Sequence, residues 1–308
     1  MRAGKLAVIL ALVAATSLAA ERNESIVRSF PAQPGKTVFI DAGSLDLTVR
    51  SAEIDEIRLD IEMATAALKE SAAQGWLDRH HPTIEDTDAQ LRVVVPDPGG
   101  LDLFKGVIVT KARIQLVVPM GVLPDLSTSS GNLSIEGTYA NAKPMRLRAA
   151  SGDVELDGWA PDVEARSTSG DITIRASRAI DNLLIRTAGG NVELTGGAKV
   201  VRCDTSGGDA HLQGLLGATT INTTSGNVTA RFDALPATDE VRVGTDSGKV
   251  RLALPPGTQP GGELRSTKGE IRSSYAGQAG EDREPRLALA GGGPKIFVTT
   301  VSGRIVLF

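Results

Sequence analysis

The chain of 308 residues contains one cysteine, Cys203, three histidines, two tryptophans, two tyrosines and six phenylalanines. A lone cysteine cannot close an internal disulfide. So few aromatics cannot supply the two girdles of an outer-membrane barrel, and Arg304 breaks the alternation that such a barrel would need before the terminal Phe308. Long apolar runs are missing too. The one apolar run, Leu6 to Val13, falls well short of the roughly 18 residues a membrane-spanning helix requires. The nucleophile-elbow, zinc-protease, phosphate-loop and dinucleotide motifs are all absent.

The run from Leu6 to Val13 follows Arg2 and Lys5 and gives way to small residues ending at Ala19 and Ala20, which is the pattern of a cleaved export signal over residues 1–20. A mature chain beginning near Glu21 is expected in the periplasm, on the cell surface or outside the cell, with no membrane span after cleavage. With 33 basic and 37 acidic residues the net charge is −4, and loss of Arg2 and Lys5 takes it to about −6. That balance gives no reason to expect nucleic acid as a partner.

Glycine is abundant, at 34 residues, and it is ordered. From residue 127 a phrase recurs: STSSGNLSI, AASGDVEL, STSGDITI, TAGGNVEL, TSGGDAHL, TTSGNVTA, TDSGKVRL, STKGEIRS and TVSGRIVL. Its pivots are Gly131, Gly152, Gly170, Gly190, Gly208, Gly226, Gly248, Gly269 and Gly303. Subtracting successive positions gives intervals of 21, 18, 20, 18, 18, 22, 21 and 34, a solenoid period with one long insertion. An earlier copy is aligned on Gly43. Apolar or small residues stand five before each pivot (Leu147, Ala165, Ile185, Cys203) and two and four after it (Val154 and Leu156, Val192 and Leu194). Such alternation predicts two short half-buried strands per repeat. The inward phase is expected at minus five, minus three and minus one, resuming at plus two after a corner where glycine takes positive φ. The following Asn or Asp (Asn132, Asp153, Asp171, Asn191, Asp209, Asn227) is expected to bond its own turn. A second glycine six residues on, as at Gly137, Gly158, Gly196 and Gly214, marks the next corner.

Like positions recurring at one place in the coil favour a right-handed parallel β-solenoid of 18–22 residues per coil over a chain of hairpins. One domain is expected over residues 21–308, with irregular N-terminal coils over 21–120, regular repeats over 121–308 and a surface loop over 273–294. Leu68, Ala72 and Trp76 recur at helical spacing, which predicts a short helix over 64–79 able to cover an open end of the stack. The residues that follow it, His80 and His81, are expected in solvent, as is His211; neither they nor any glycine-rich stretch makes a metal or calcium site, and no cofactor is expected.

The Ser-Gly-Asp/Asn phrase with its alternating apolar residues, the opening strand from Lys36 to Val49 and the strand Leu116 to Pro119 before the array together resemble the bacterial β-strand-repeat proteins grouped as candidate adhesins, a domain of unknown function. The resemblance spans nearly the whole chain after the export signal. It implies an exported β-helix-like domain and brings no catalytic residues.

Many β-helices cleave polysaccharides, using converging carboxylates in a groove. Here the outward acids Glu155, Asp157 and Glu193 are interrupted by Thr173, so the leading expectation is a non-enzymatic envelope module that binds or builds structure. A carbohydrate-active enzyme and a periplasmic sensory domain are the alternatives. The residues singled out for binding are arginines on the outward face: Arg148, Arg166, Arg186 and Arg265 four before their pivots, and Arg146, Arg202 and Arg242 six before. Stacked in neighbouring rows, with Glu164 and Glu263 offsetting only part of their charge, they would suit an anionic polysaccharide or another anionic envelope component.

Overall fold

A computed structural model describes residues 20–97, 106–140, 143–279 and 285–308. Residues 1–19 of the expected leader over 1–20 lie outside the described residues, and its last residue, Ala20, opens the first strand.

The N-terminal part comprises β1 (Ala20–Pro31), β2 (Thr37–Asp41), β3 (Asp46–Ala52), β4 (Glu56–Ala67), α1 (Glu70–His80), β5 (Thr83–Asp86), β6 (Gln90–Val94) and β7 (Val107–Pro119). The regular array follows as strand pairs, one strand on each side of a pivot: β8 (Leu123–Thr128) and β9 (Leu133–Thr138), β10 (Met145–Ala149) and β11 (Val154–Trp159), β12 (Asp162–Ser167) and β13 (Ile172–Ala176), β14 (Ile180–Arg186) and β15 (Val192–Thr195), β16 (Ala198–Asp204) and β17 (Ala210–Leu215), β18 (Thr219–Thr223) and β19 (Val228–Phe232), and β20 (Glu240–Thr245) and β21 (Val250–Ala253). The C-terminal part is β22 (Gly261–Ser266), β23 (Ile271–Ser273), β24 (Gly277–Ala279), β25 (Arg286–Ala290), β26 (Lys295–Thr300) and β27 (Ile305–Leu307).

Every strand before a pivot pairs in parallel with its equivalent one coil away, from β8 to β10, β12, β14, β16, β18 and β20. The strands after the pivots form a second ladder in the same order. Alternate residues of both ladders fill one apolar core; Leu147, Ala165, Ile185 and Cys203 stack in one column, and Leu156, Ile174, Leu194 and Leu212 in another.

The corner differs from the sequence reading in three respects. The residue before each pivot, such as Ser169, is exposed, and the pivot itself is buried in every coil except the outermost, where Gly269 is half-buried, so the slip of phase falls between minus three and the glycine. The pivots of the repeat also keep negative φ or extended backbone. Glycine is required there by close approach: a Cβ at Gly190 would lie 1.9 Å from the carbonyl oxygen of Gly170, and one at Gly208 would lie 1.8 Å from that of Gly190. Positive φ belongs to the second corner, as at Gly196 with φ 82°. Finally, the Asx side chains reach the next coil, not their own turn: Asp171 N donates to Asp153 Oδ1 at 2.8 Å, Asn191 N to Asp171 Oδ1 at 2.6 Å and Asp209 N to Asn191 Oδ1 at 3.0 Å.

A buried hydroxyl three before the pivot completes the device. Thr187 Oγ1 accepts from Gly190 N at 3.1 Å and donates to the carbonyl of Gly170 in the coil below at 3.4 Å. Ser167, Thr245 and Ser266 do the same, so the corner's polar groups are satisfied inside the stack.

Both ends abandon this order. The strand pair β2–β3 lies between β6–β7 and β8–β9. In it Ile40 pairs with Leu126 and Leu47 with Leu133, so the pivot position is Leu45 and not Gly43; a shift of two residues preserves the alternation and is invisible to it. At the other end the last pair, β26–β27, lies between β20–β21 and β22–β23. The chain passes over one rung, builds the next, and returns to fill the gap. The solenoid is also not parallel throughout: β1 pairs antiparallel with β4 and β4 with β7, β5 with β6, and β25 with both β22 and β24. Residues 273–294, expected as a surface loop, thus carry the capping strands β24 and β25, while 280–284 lie outside the described residues.

The predicted helix is displaced as well. Ala64 to Ala67 extend β4, and Leu68 is exposed. The buried face of α1 is Ala73, Trp76, Leu77 and His80, spaced i, i+3, i+4 and i+7 and packed on β1 and β4. His80 is therefore not in solvent: its ring stacks on Trp76 at 4.3 Å between centroids and its Nδ1 lies 2.8 Å from the Trp76 carbonyl. His81 and His211 are exposed, as expected.

Candidate anion-binding groove

Parallel pairing turns each sequence position into a column along the solenoid. Four before the pivots the column runs Ser127, Arg148, Arg166, Arg186, Asp204 and Asn222. Six before them it runs Asp125, Arg146, Glu164, Leu184, Arg202, Thr220 and Arg242. Five of the seven arginines selected from the sequence, at positions 146, 148, 166, 186 and 202, therefore form one patch. Arg242 stands two rungs beyond Arg202 with its guanidinium 5.2 Å from the Phe297 ring, and Arg265 lies at the far end beside Thr299 and Arg286.

The five are held by three carboxylates. Arg148 NH1 meets Asp125 Oδ1 at 2.7 Å, Arg146 lies 3.6 Å from Asp125 and 3.7 Å from Glu164, and Arg166 pairs with Glu164. Arg186 and Arg202 reach Asp204 Oδ2 at 3.5 and 3.0 Å. Burial opposes ionisation of Asp204, but hydrogen bonds from Asn222 and Arg202 and the charges of Arg202 and Arg186 outweigh it, holding its carboxyl below the usual carboxylate range. Five positive charges against three negative ones leave two in excess. The acids lie deep and the bases shallow: the carboxylate side chains are 17–28% exposed, the arginine side chains 40–57%. Carboxylates thus brace the guanidinium stems from beneath while the outer faces meet solvent.

Beside Arg148, Arg166 and Arg186 the exposed corner residues Thr168, Ala188 and Ser206 form a second wall, and the two walls enclose a groove of about 480 Å³ running across the strands. Among the described residues, Arg166 Nε is shielded from solvent and has no hydrogen-bond partner. A larger cleft of about 900 Å³ lies at the N-terminal end, between β1, β4, β7 and Trp76. Size does not favour it here, because its charges are mixed and partly paired within it, Arg113 with Glu62 at 2.7 Å.

Glu164 was visible as a neutralising residue from the sequence, but Asp125 and Asp204 were not singled out and Glu263 pairs elsewhere, with Arg286 at 2.6 Å. Aligning every rung on its pivot, and not the arginines alone, puts Asp125 and Asp204 in the two columns. On the other ladder Thr173 separates Glu155 from Glu193, and Glu155 is engaged by Arg175. Cys203 is buried, and burial, with the charge of Asp204, pushes its thiol up to about 12. No helix among the described residues is long and apolar enough to cross a membrane.

The fold is a two-ladder β-solenoid with a glycine column at one corner. The chain belongs to the Toastrack DUF4097 family, whose model matches residues 121–200 and 179–307. Curated proteins offer no match. Among solved structures, the chain is similar to a putative adhesin from Bacteroides fragilis at 12% identity and a TM-score of 0.43, covering 92% of this chain and 97% of that one. It is also similar to a putative lipid binding protein from Parabacteroides distasonis at 13% identity and a TM-score of 0.45, covering 92% and 96%. Likenesses this distant say nothing about a ligand.

Proposed function

We propose that this chain is a non-enzymatic binding module of the bacterial envelope, exported to the periplasm or cell surface, whose right-handed coils present a groove for an anionic glycan or lipid head group. The reading rests on the juxtaposition of Arg148, Arg166 and Arg186 on three successive rungs, with an unpartnered Arg166 N–H at their centre. Neighbouring guanidinium groups at rung spacing repel by about 1 kcal/mol in water, and the bracing acids remove only part of that. A phosphate, sulfate or carboxylate laid in the groove would supply the missing charge and accept forked hydrogen bonds. Because the carboxylates hold the arginines from beneath and the outer guanidinium faces meet solvent, a ligand can bind those faces while the bracing pairs stay in place. A hydrolytic role is disfavoured by the interrupted acids around Thr173.

Retention on immobilised heparin and on lipopolysaccharide at low and moderate salt tests the reading. The triple variant Arg148→Glu/Arg166→Glu/Arg186→Glu should elute earlier than wild type, whereas Arg242→Glu/Arg265→Glu/Arg272→Glu, with the same net charge and with Arg272 on the outer strand β23 far from the groove, should elute later than the first triple. If the two triples co-elute, the groove has no role beyond net charge.

A further inference from the structure

The two ladders end in four outer strands, and three of them are short. β5 has four residues and carries Glu85 and Asp86; β23 and β24 have three residues each. Short and charged outer strands are the usual protection against unwanted pairing. The fourth, β1, has twelve residues, and among the described residues it pairs only with β4, along one side. A free edge of that length offers a row of unsatisfied backbone donors and acceptors, while Val27, at 72% exposure, is the most exposed large apolar residue among those described.

The sequence of β1, AERNESIVRSFP, is charge-complementary to itself when run antiparallel. With Ile26 facing its own copy, Glu24 lies opposite Arg28 twice, Arg22 opposite Phe30, and Ser25 opposite Val27, with residues 21 to 31 overlapping. Centring on Ser25 would instead set Arg22 against Arg28, and centring on Glu24 would set two glutamates face to face. Directly opposed unlike charges stabilise a cross-strand pair and like charges destabilise it. We infer that β1 is a homodimerisation edge: a second copy of this chain pairs antiparallel along it about a two-fold axis at Ile26, joining the β1-bearing ladders of two molecules into one sheet.

Sedimentation of the full chain as a function of concentration tests this, with melting temperature as the folding control. Wild type should dimerise, and Glu24→Arg and Arg28→Glu should each raise the dimer dissociation constant about tenfold, because each sets like charges opposite one another twice. Mixing the two variants should restore association as a heterodimer, since the arginines of one then face the glutamates of the other. A variant that fails to fold is replaced by Glu24→Gln or Arg28→Gln, each expected to weaken the dimer by a smaller factor. Wild type that remains monomeric at roughly 100 μM overturns the proposal and leaves the edge to a strand of another protein, as does a dimer indifferent to both reversals.

Discussion

The middle of the solenoid and its two ends are built on opposite principles. In the middle each rung repeats the same corner, and every residue of the phrase has a counterpart directly above and below, so specificity is local and identical from coil to coil. At the ends the order of rungs departs from the order of the chain, antiparallel strands and a helix close the core, and the contacts are unique. Repetition supplies the stack's interior; only exceptions to it can finish the stack.

The sharpest way to break the repetitive half is at the glycine column. Gly190→Ala should destabilise the fold by about 3 kcal/mol or more, because its Cβ would strike a backbone carbonyl that cannot move without displacing the coil below. Gly189→Ala, next to it, has nothing nearer than 3.9 Å and should leave the denaturation midpoint nearly unchanged. Of similar size is the register test: Val192→Asp or Leu194→Asp places an unpaired carboxylate in the core at a cost of several kcal/mol, whereas Glu193→Ala is close to neutral. Equal thermal shifts for all three would refute the inward phase.

The N-terminal end is fastened differently. Lys36 Nζ is buried, 2.6 Å from Asp86 Oδ1 and 3.0 Å from the Pro31 carbonyl, tying the start of β2 to the end of β5. Lys36→Met should cost about 1–3 kcal/mol, less than for a fully buried pair because Asp86 retains some water, and hydrogen exchange should rise in β5 and β6 but not in β12 to β17. Uniform loosening of the whole chain would contradict the division drawn between end and middle.

Smaller still is the hydroxyl ladder, where Thr187→Val removes an acceptor from Gly190 N and should cost about 1–2 kcal/mol by chemical denaturation. The mildest probe is Cys203. Its folded thiol titrates near 12 while an unfolded one ionises near 8.5, so the stability it contributes is fully present below about pH 8.5 and is lost as the pH rises toward 12. At pH 8 a thiol reagent should label the unfolded chain quickly and the native chain hardly at all; fast native labelling would place Cys203 outside the core.

What could be read from the sequence follows the same division. Strand pairs, inward columns and the stacking of Arg148 on Arg166 and Arg186 were legible because each coil states them again. The slip of phase was placed two residues late because Ser169 and its equivalents are small and carry no hydropathy signal. The order of rungs at the C-terminus was hidden for a different reason: the coils at Gly269 and Gly303 bear the same phrase, and a phrase does not say which neighbour it stacks on. A signal did exist. Four residues after Gly269 stands Ser273, where Gly303 is followed by the buried Leu307, and a polar core position suits an outermost rung. His80 escapes the sequence reading because the helix expected over 64–79 ends one residue before it, whereas α1 runs through His80 and places its ring one turn after Trp76.

Because β26–β27 is slotted between two other rungs, the chain's last strands are gripped from both sides, with Phe308 N bonded to the Leu252 carbonyl at 3.0 Å. In a stack laid down in chain order the outermost rung is held along one side only and peels away under load. Here a pull transmitted through β27 must break its pairings with β21 and β23 together, so that strand acts as a clasp and the load is borne by the body of the solenoid.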